Sequence, residues 1–133
     1  MADGVVEQAA HYAAKLAAFE RFDGENPQVW RHFCRFTQEL IAAGRQHYGA
    51  KAVIERVRWH MAVTTMSEDN FRINNNHFPF YARKWLAVHT TPPEFFRVRV
   101  QRGCCPFKNR KTGVQCVLPY GHTTRHRGFL RED

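Results

Sequence analysis

The chain has 133 residues, of which 44% are hydrophobic and 14% aromatic, and its formal net charge is +8. That is enough apolar material for one packed core and too much for a disordered chain, and no apolar run reaches the roughly 18 residues of a membrane span. The charge is one-sided: residues 97–133 carry nine Lys/Arg against two Asp/Glu, whereas residues 1–49 and 50–96 sum to only −1 and +2.

After Asp3, Val5, Val6, Ala9, Ala10, Tyr12, Ala13, Leu16, Ala17 and Phe19 recur at steps of three and four, which predicts a helix over 4–21. Its alanine-rich face suits close packing in a core or a homodimer seam. Phe22-Asp23-Gly24-Glu25 is expected to break it. Asn26-Pro27 starts a second helix, with asparagine as cap and proline in the first turn, and Trp30, Phe33, Thr37, Leu40 and Ile41 carry one face to about Gln46. Cys34 lies one position off that face and reads as a core thiol. A third helix over 50–61 turns Val53, Ile54, Val57 and Met61 inward.

Residues 64–70 are polar and aperiodic and read as a loop. Phe71-Arg72-Ile73 alternates like a short strand before the turn-forming Asn74-Asn75-Asn76. Pro79 opens a fourth helix, 79–89, that ends at Thr90-Thr91-Pro92-Pro93, since each proline disfavours helical geometry in the residue before it. Phe96, Val98 and Val100 alternate with Arg97, Arg99 and Gln101, which predicts a second strand with a cationic outer face. Trp59, Tyr81 and Trp85 fall at core spacing. The expected fold is therefore mainly α with a small two-stranded β element, winged-helix-like in plan, followed by a C-terminal zinc-binding hairpin. The helical domain with its short ribbon covers 1–101, and the basic zinc module covers 102–133.

The module is defined by spacing. Ten residues separate Cys105 from Cys116, five more precede His122, and three lie between His122 and His126. A structural zinc takes four Cys or His ligands in a tetrahedron, delivered by short turns, and Lys111-Thr112-Gly113 is a turn signal between the two cysteines. The ligand set is Cys105, Cys116, His122 and His126, with Cys104 as the alternative first ligand. Such a set is coordinatively closed, so it holds a hairpin and leaves no position for a hydrolytic water.

Gly113-Val114-Gln115-Cys116-Val117-Leu118-Pro119-Tyr120-Gly121-His122, followed by His126, resembles a zinc-knuckle module of small actinobacterial and actinobacteriophage proteins. The stretches Asn26-Pro27-Gln28-Val29-Trp30, Gly49 to Trp59, Phe71 to Asn75, Tyr81-Ala82-Arg83 and Pro93 to Arg99 resemble a family of small phage and prophage proteins with no established activity. The resemblance implies a metal and a phage source, not a reaction.

A strongly basic segment is what contact with nucleic-acid phosphates requires, because each neutralised phosphate releases counterions. The expected partner is nucleic acid, DNA before RNA. The candidate contacts are Arg72, Asn74, Asn75 and Asn76 on the turn, Arg83 and Lys84 on the fourth helix, Arg97 and Arg99 on the strand, and Arg102, Lys108, Arg110, Lys111, Arg125 and Arg127 around the zinc. The asparagines serve equally as turn and cap residues, and the charge suits a solubilising tail or an acidic host protein as well. An enzyme is not expected: Glu68, Asp69 and His77 are the only candidate group, and their spacing matches no metal-nuclease pattern. The absence of a signal pattern at the start, together with cysteines clustered at ligand spacing, points to the cytoplasm, that of a host if the chain is phage-encoded.

Overall fold

The computed structural model describes residues 2–64, 73–89, 92, 94–99, 101–108 and 115–128. Among the described residues four helices follow in order: α1 (Ala2–Glu25), α2 (Pro27–Ala42), α3 (Ala50–Thr64) and α4 (Phe78–Val88). None is long and apolar enough to cross a membrane.

The first helix runs four residues past its expected break because that turn is held from both sides. The Phe22 ring stacks on His77 at 5.0 Å, and Asp23 pairs with Lys84 at 2.8 Å. Pro27 then stops it. Asn26 is the residue before α2, yet its side chain makes no cap bond there; its amide donates instead to the Phe22 carbonyl at 3.1 Å and closes the end of α1. A single asparagine thus satisfies the helix it follows, and Pro27 starts the next without needing a donor.

The core is built from one face of each helix: Tyr12, Leu16 and Phe19 from α1, Val29, Trp30, Phe33 and Phe36 from α2, Val53, Ile54 and Val57 from α3, and Phe80, Tyr81 and Trp85 from α4. Its centre is aromatic. Phe19 meets Tyr81 edge to face at 4.8 Å and stacks on Phe80 at 5.2 Å, while Phe33 packs against Phe96 at 5.3 Å. Each such ring, fully buried, contributes about 2–3 kcal/mol from removal of its surface from water. Cys34 is half-buried against this cluster, as a core thiol would be.

The two-stranded sheet does not form among the described residues. Phe95 and Phe96 are both buried, while Val98 is 37% exposed and Arg97 and Arg99 face solvent. Two adjacent phenylalanines anchoring one segment break the period of two that a half-buried strand requires. Ile73 is buried outside any strand, its carbonyl engaged by Arg58, which also binds Asn75 Oδ1 at 2.7 Å. Phe71, Arg72 and Val100 lie outside the described residues. Without the ribbon, the winged-helix plan has no support.

Trp59 also departs from expectation: it is 60% exposed. Val57 faces the core, and a residue two positions on is turned by about 200° around the helix, so Trp59 points outward.

Residues 101–108 and 115–128 dock on α1. Cys104 belongs to the buried core, the Tyr12 hydroxyl donates to the Val117 carbonyl, and Arg127 pairs with Glu20 at 2.9 Å. Gly103 sits directly against the backbone of Gln8.

Candidate metal centre

Two short arms of chain carry the cysteines. Antiparallel bridges join Cys104 to Pro119 and Lys108 to Gln115, in the same register. Between them the Cys105 amide donates to the Leu118 carbonyl at 2.9 Å, and the Cys116 amide donates to the Phe107 carbonyl at 2.8 Å. Side chains alternate across such a pairing. Cys105, Phe107, Cys116 and Leu118 therefore share one face, and Cys104 and Val117 share the other.

That alternation separates the two adjacent cysteines. Cys105 and Cys116 are turned toward the histidines, whereas Cys104 is turned into the helical core beside Tyr12. The Cys104 sulfur contacts the carbonyls of Cys105 and Cys116 at 3.5 and 3.3 Å. Burial pushes the thiols of both Cys104 and Cys105 up, so a cation bound at Cys105 must displace a proton.

The histidines complete the group. The turn at Tyr120-Gly121, with Gly121 at φ 80°, returns the chain so that His122 Nε2 lies 3.6 Å from Cys116 Sγ. His126 Nδ1 lies 3.4 Å from Cys105 Sγ. The two imidazoles are nearly perpendicular, 83° apart with centroids at 5.0 Å, which aims their nitrogens at a common point without stacking the rings. The Phe107 ring lies flat on His126 at 3.8 Å and fixes its orientation. One ligand atom from each of Cys105, Cys116, His122 and His126 lies within 4.8 Å of every other, close enough to hold a metal ion.

The basic candidates divide into three sets. Arg97, Arg99, Arg102, Lys108 and Arg125 are exposed, and among the described residues none has a carboxylate partner. A second set is already engaged. Arg83 is 4% exposed, with its guanidinium donating to the Pro79 and Arg99 carbonyls, and burial lowers its affinity for its proton. Lys84 pairs with Asp23 and lies over the Trp30 ring at 4.4 Å, and Arg127 pairs with Glu20. Asn74 Oδ1 accepts from the Asn76 amide at 2.9 Å as an Asx turn, and Asn75 accepts from Arg58, so both side chains shape the turn. The third set, Arg72, Arg110 and Lys111, lies outside the described residues, as do Glu68 and Asp69. His77 is buried and packs against the rings of Phe19 and Phe22.

Sequence reasoning missed the exposed aromatics beside these cations. Phe107 is 41% exposed and Tyr120 53% exposed. Both flank members of the Cys/His group, and the signal available was position: an aromatic residue in a short turn segment has little core to enter. Comparison of the chain with family models, with curated proteins and with solved structures finds no match.

Proposed function

We propose that this is a phage-type, cytoplasmic nucleic-acid-binding protein, acting on DNA before RNA, whose cationic surface is held in shape by a structural zinc ion. Zinc suits the centre on two grounds. Two sulfurs and two imidazole nitrogens are its usual structural donor set, and bond lengths of about 2.3 and 2.0 Å at tetrahedral angles separate sulfur from nitrogen by about 3.5 Å. The Sγ to N separations of 3.4 and 3.6 Å match that edge. Four protein donors leave no open position, so the ion's work is to hold the arms.

The observation that carries the nucleic-acid reading is the set of exposed cations Arg97, Arg99, Arg102, Lys108 and Arg125, unpaired among the described residues. Elsewhere Glu20, Asp23, Glu39 and Glu55 each hold a basic side chain in an ion pair. Uncompensated charge on a metal-held surface costs self-repulsion in the free protein and is relieved by a polyanion. Arg110 and Lys111 extend the same segment in sequence. Arg83 and Lys84 are omitted from the contact surface, because their heads are engaged within the fold.

Binding of labelled random-sequence duplex and single-stranded DNA, measured by anisotropy at about 50 and 200 mM salt, tests the reading. Micromolar binding with a steep salt slope is expected. Charge reversal at Arg97, Arg99, Lys108 and Arg110 together should weaken binding and flatten the slope, by about 0.9 for each phosphate contact removed. No binding at low salt, or an unchanged slope in the variant, contradicts it.

A further inference from the structure

Phe36, Leu40, Tyr48, Ala52, Val53 and Arg56 line an open groove of about 260 Å³ between α2 and α3, with Glu39 at its edge. None of these residues belongs to the metal centre or to that set of exposed cations. The floor is aliphatic and aromatic; the rim is built around one guanidinium. Arg56 lies over the Phe36 ring at 4.4 Å and over the Trp59 ring at 4.7 Å, held by two cation–π contacts. Among the described residues it has no carboxylate partner, since Glu39 is paired with Arg35 and Glu55 with Arg58. The cation is thus oriented and uncompensated. Trp59, which stacks on it, and Tyr48, which lines the same groove, are 60% and 43% exposed, large apolar side chains left in water.

Size and charge together select an occupant. The groove is smaller than the roughly 300 Å³ at which small-molecule sites begin, and it is open along the seam of two helices. That geometry takes an apolar side chain or two from a larger partner. Tryptophan, tyrosine and arginine are the residues that most often anchor protein interfaces. The uncompensated charge asks for a carboxylate next to the apolar anchor.

We propose that this groove docks an acidic amphipathic helix of a partner protein. An apolar side chain sits over Phe36, Leu40 and Val53, and a neighbouring carboxylate pairs with Arg56 while Trp59 covers the contact. The site is separate from the proposed nucleic-acid contacts, and either assignment can fail without the other.

The test uses the full chain with its metal ion and two synthetic helical peptides of about four turns. Both carry the same leucine stripe at i, i+3, i+4 and i+7, with glutamate at the remaining positions of one and lysine in the other. Trp30 and Trp85 are 5% and 1% exposed, so a change in tryptophan emission reports Trp59. The acidic peptide should bind at least about tenfold more tightly than the basic one and shift the emission to the blue. Arg56→Gln should weaken that binding roughly tenfold, the scale of one charge-assisted contact. Ala52→Glu, an exposed position on the groove wall, should abolish it with the fold intact. Equal affinity for the two peptides, or Arg56→Gln binding like the parent, overturns the proposal. Displacement of the acidic peptide by a single-stranded oligonucleotide also overturns it and assigns the groove to nucleic acid.

Discussion

Cys116→Ser should release the metal ion and free residues 101–128 from α1, while most of the helical signal in far-ultraviolet circular dichroism remains. Zinc ligation supplies on the order of 10 kcal/mol to a site of this kind, and this segment has little else to hold it. What it does bury is Cys104 in the core and Val117 against Tyr12. The helices have anchors of their own: Phe19 packs on Phe80 and Tyr81, contacts that involve no residue of the module. Hydrogen exchange should therefore rise steeply over 101–128, moderately around Tyr12, and little in α2, α3 and α4. Unfolding of all four helices would show instead that the metal sustains the whole core. Retention of the ion would remove Cys116 from the ligand set.

The second large effect is expected at a glycine. Gly103 has φ +81°, and a Cβ there would lie 2.1 Å from the Gln8 carbonyl oxygen and 2.8 Å from the Ala9 nitrogen. Those are backbone atoms within α1, which no rotamer change can move aside. Gly103→Ala must push the module off the helix or distort α1, at a cost of about 2 kcal/mol or more beyond the left-handed backbone itself. Gly121 supplies the control. Its φ is +80°, but nothing lies within 4 Å of its Cβ direction, so Gly121→Ala carries only the conformational cost of about 1–2 kcal/mol. Urea unfolding of the two variants should rank Gly103→Ala clearly the less stable. Equal losses would mean that Gly103 does not meet α1 in solution.

The helices were readable from the chain because local signals agree. Pro27 and Pro79 mark helix starts, and spacings such as Val53, Ile54 and Val57 give the buried faces. The Cys/His group was readable from spacing, which favours Cys105 but barely separates it from Cys104. The choice depends on the register that pairs Lys108 with Gln115, a contact between arms, after which alternation decides it. The strand at 96–100 was misjudged because Arg97, Val98 and Arg99 alternate correctly while Phe95, the neighbour that breaks the pattern, carries the burial. Trp59 could have been placed by helical geometry, two residues from an inward valine.

Arg83 and Lys84 illustrate a different limit. Their charge suggested an exposed flank, yet α4 is enclosed on most sides, with Phe80, Tyr81, Ala82, Arg83, Trp85 and Ala87 all buried. The acceptors that make this tolerable, the Arg99 carbonyl and Asp23, come from distant segments. No local pattern encodes that pairing. Charge counted along a sequence therefore overstates the surface available to a polyanion, and the set of exposed cations is smaller than composition implied.

The proposed function rests on a metal ion at Cys105, Cys116, His122 and His126, whose ligand atoms lie close enough to hold one. The direct measurement is elemental analysis by mass spectrometry of the full chain purified without a metal-affinity step, alongside Cys104→Ser and Cys105→Ser. About one zinc per chain is expected in the parent and in Cys104→Ser, and none in Cys105→Ser. Parent protein free of metal, or metal lost with Cys104 and kept without Cys105, would contradict the account.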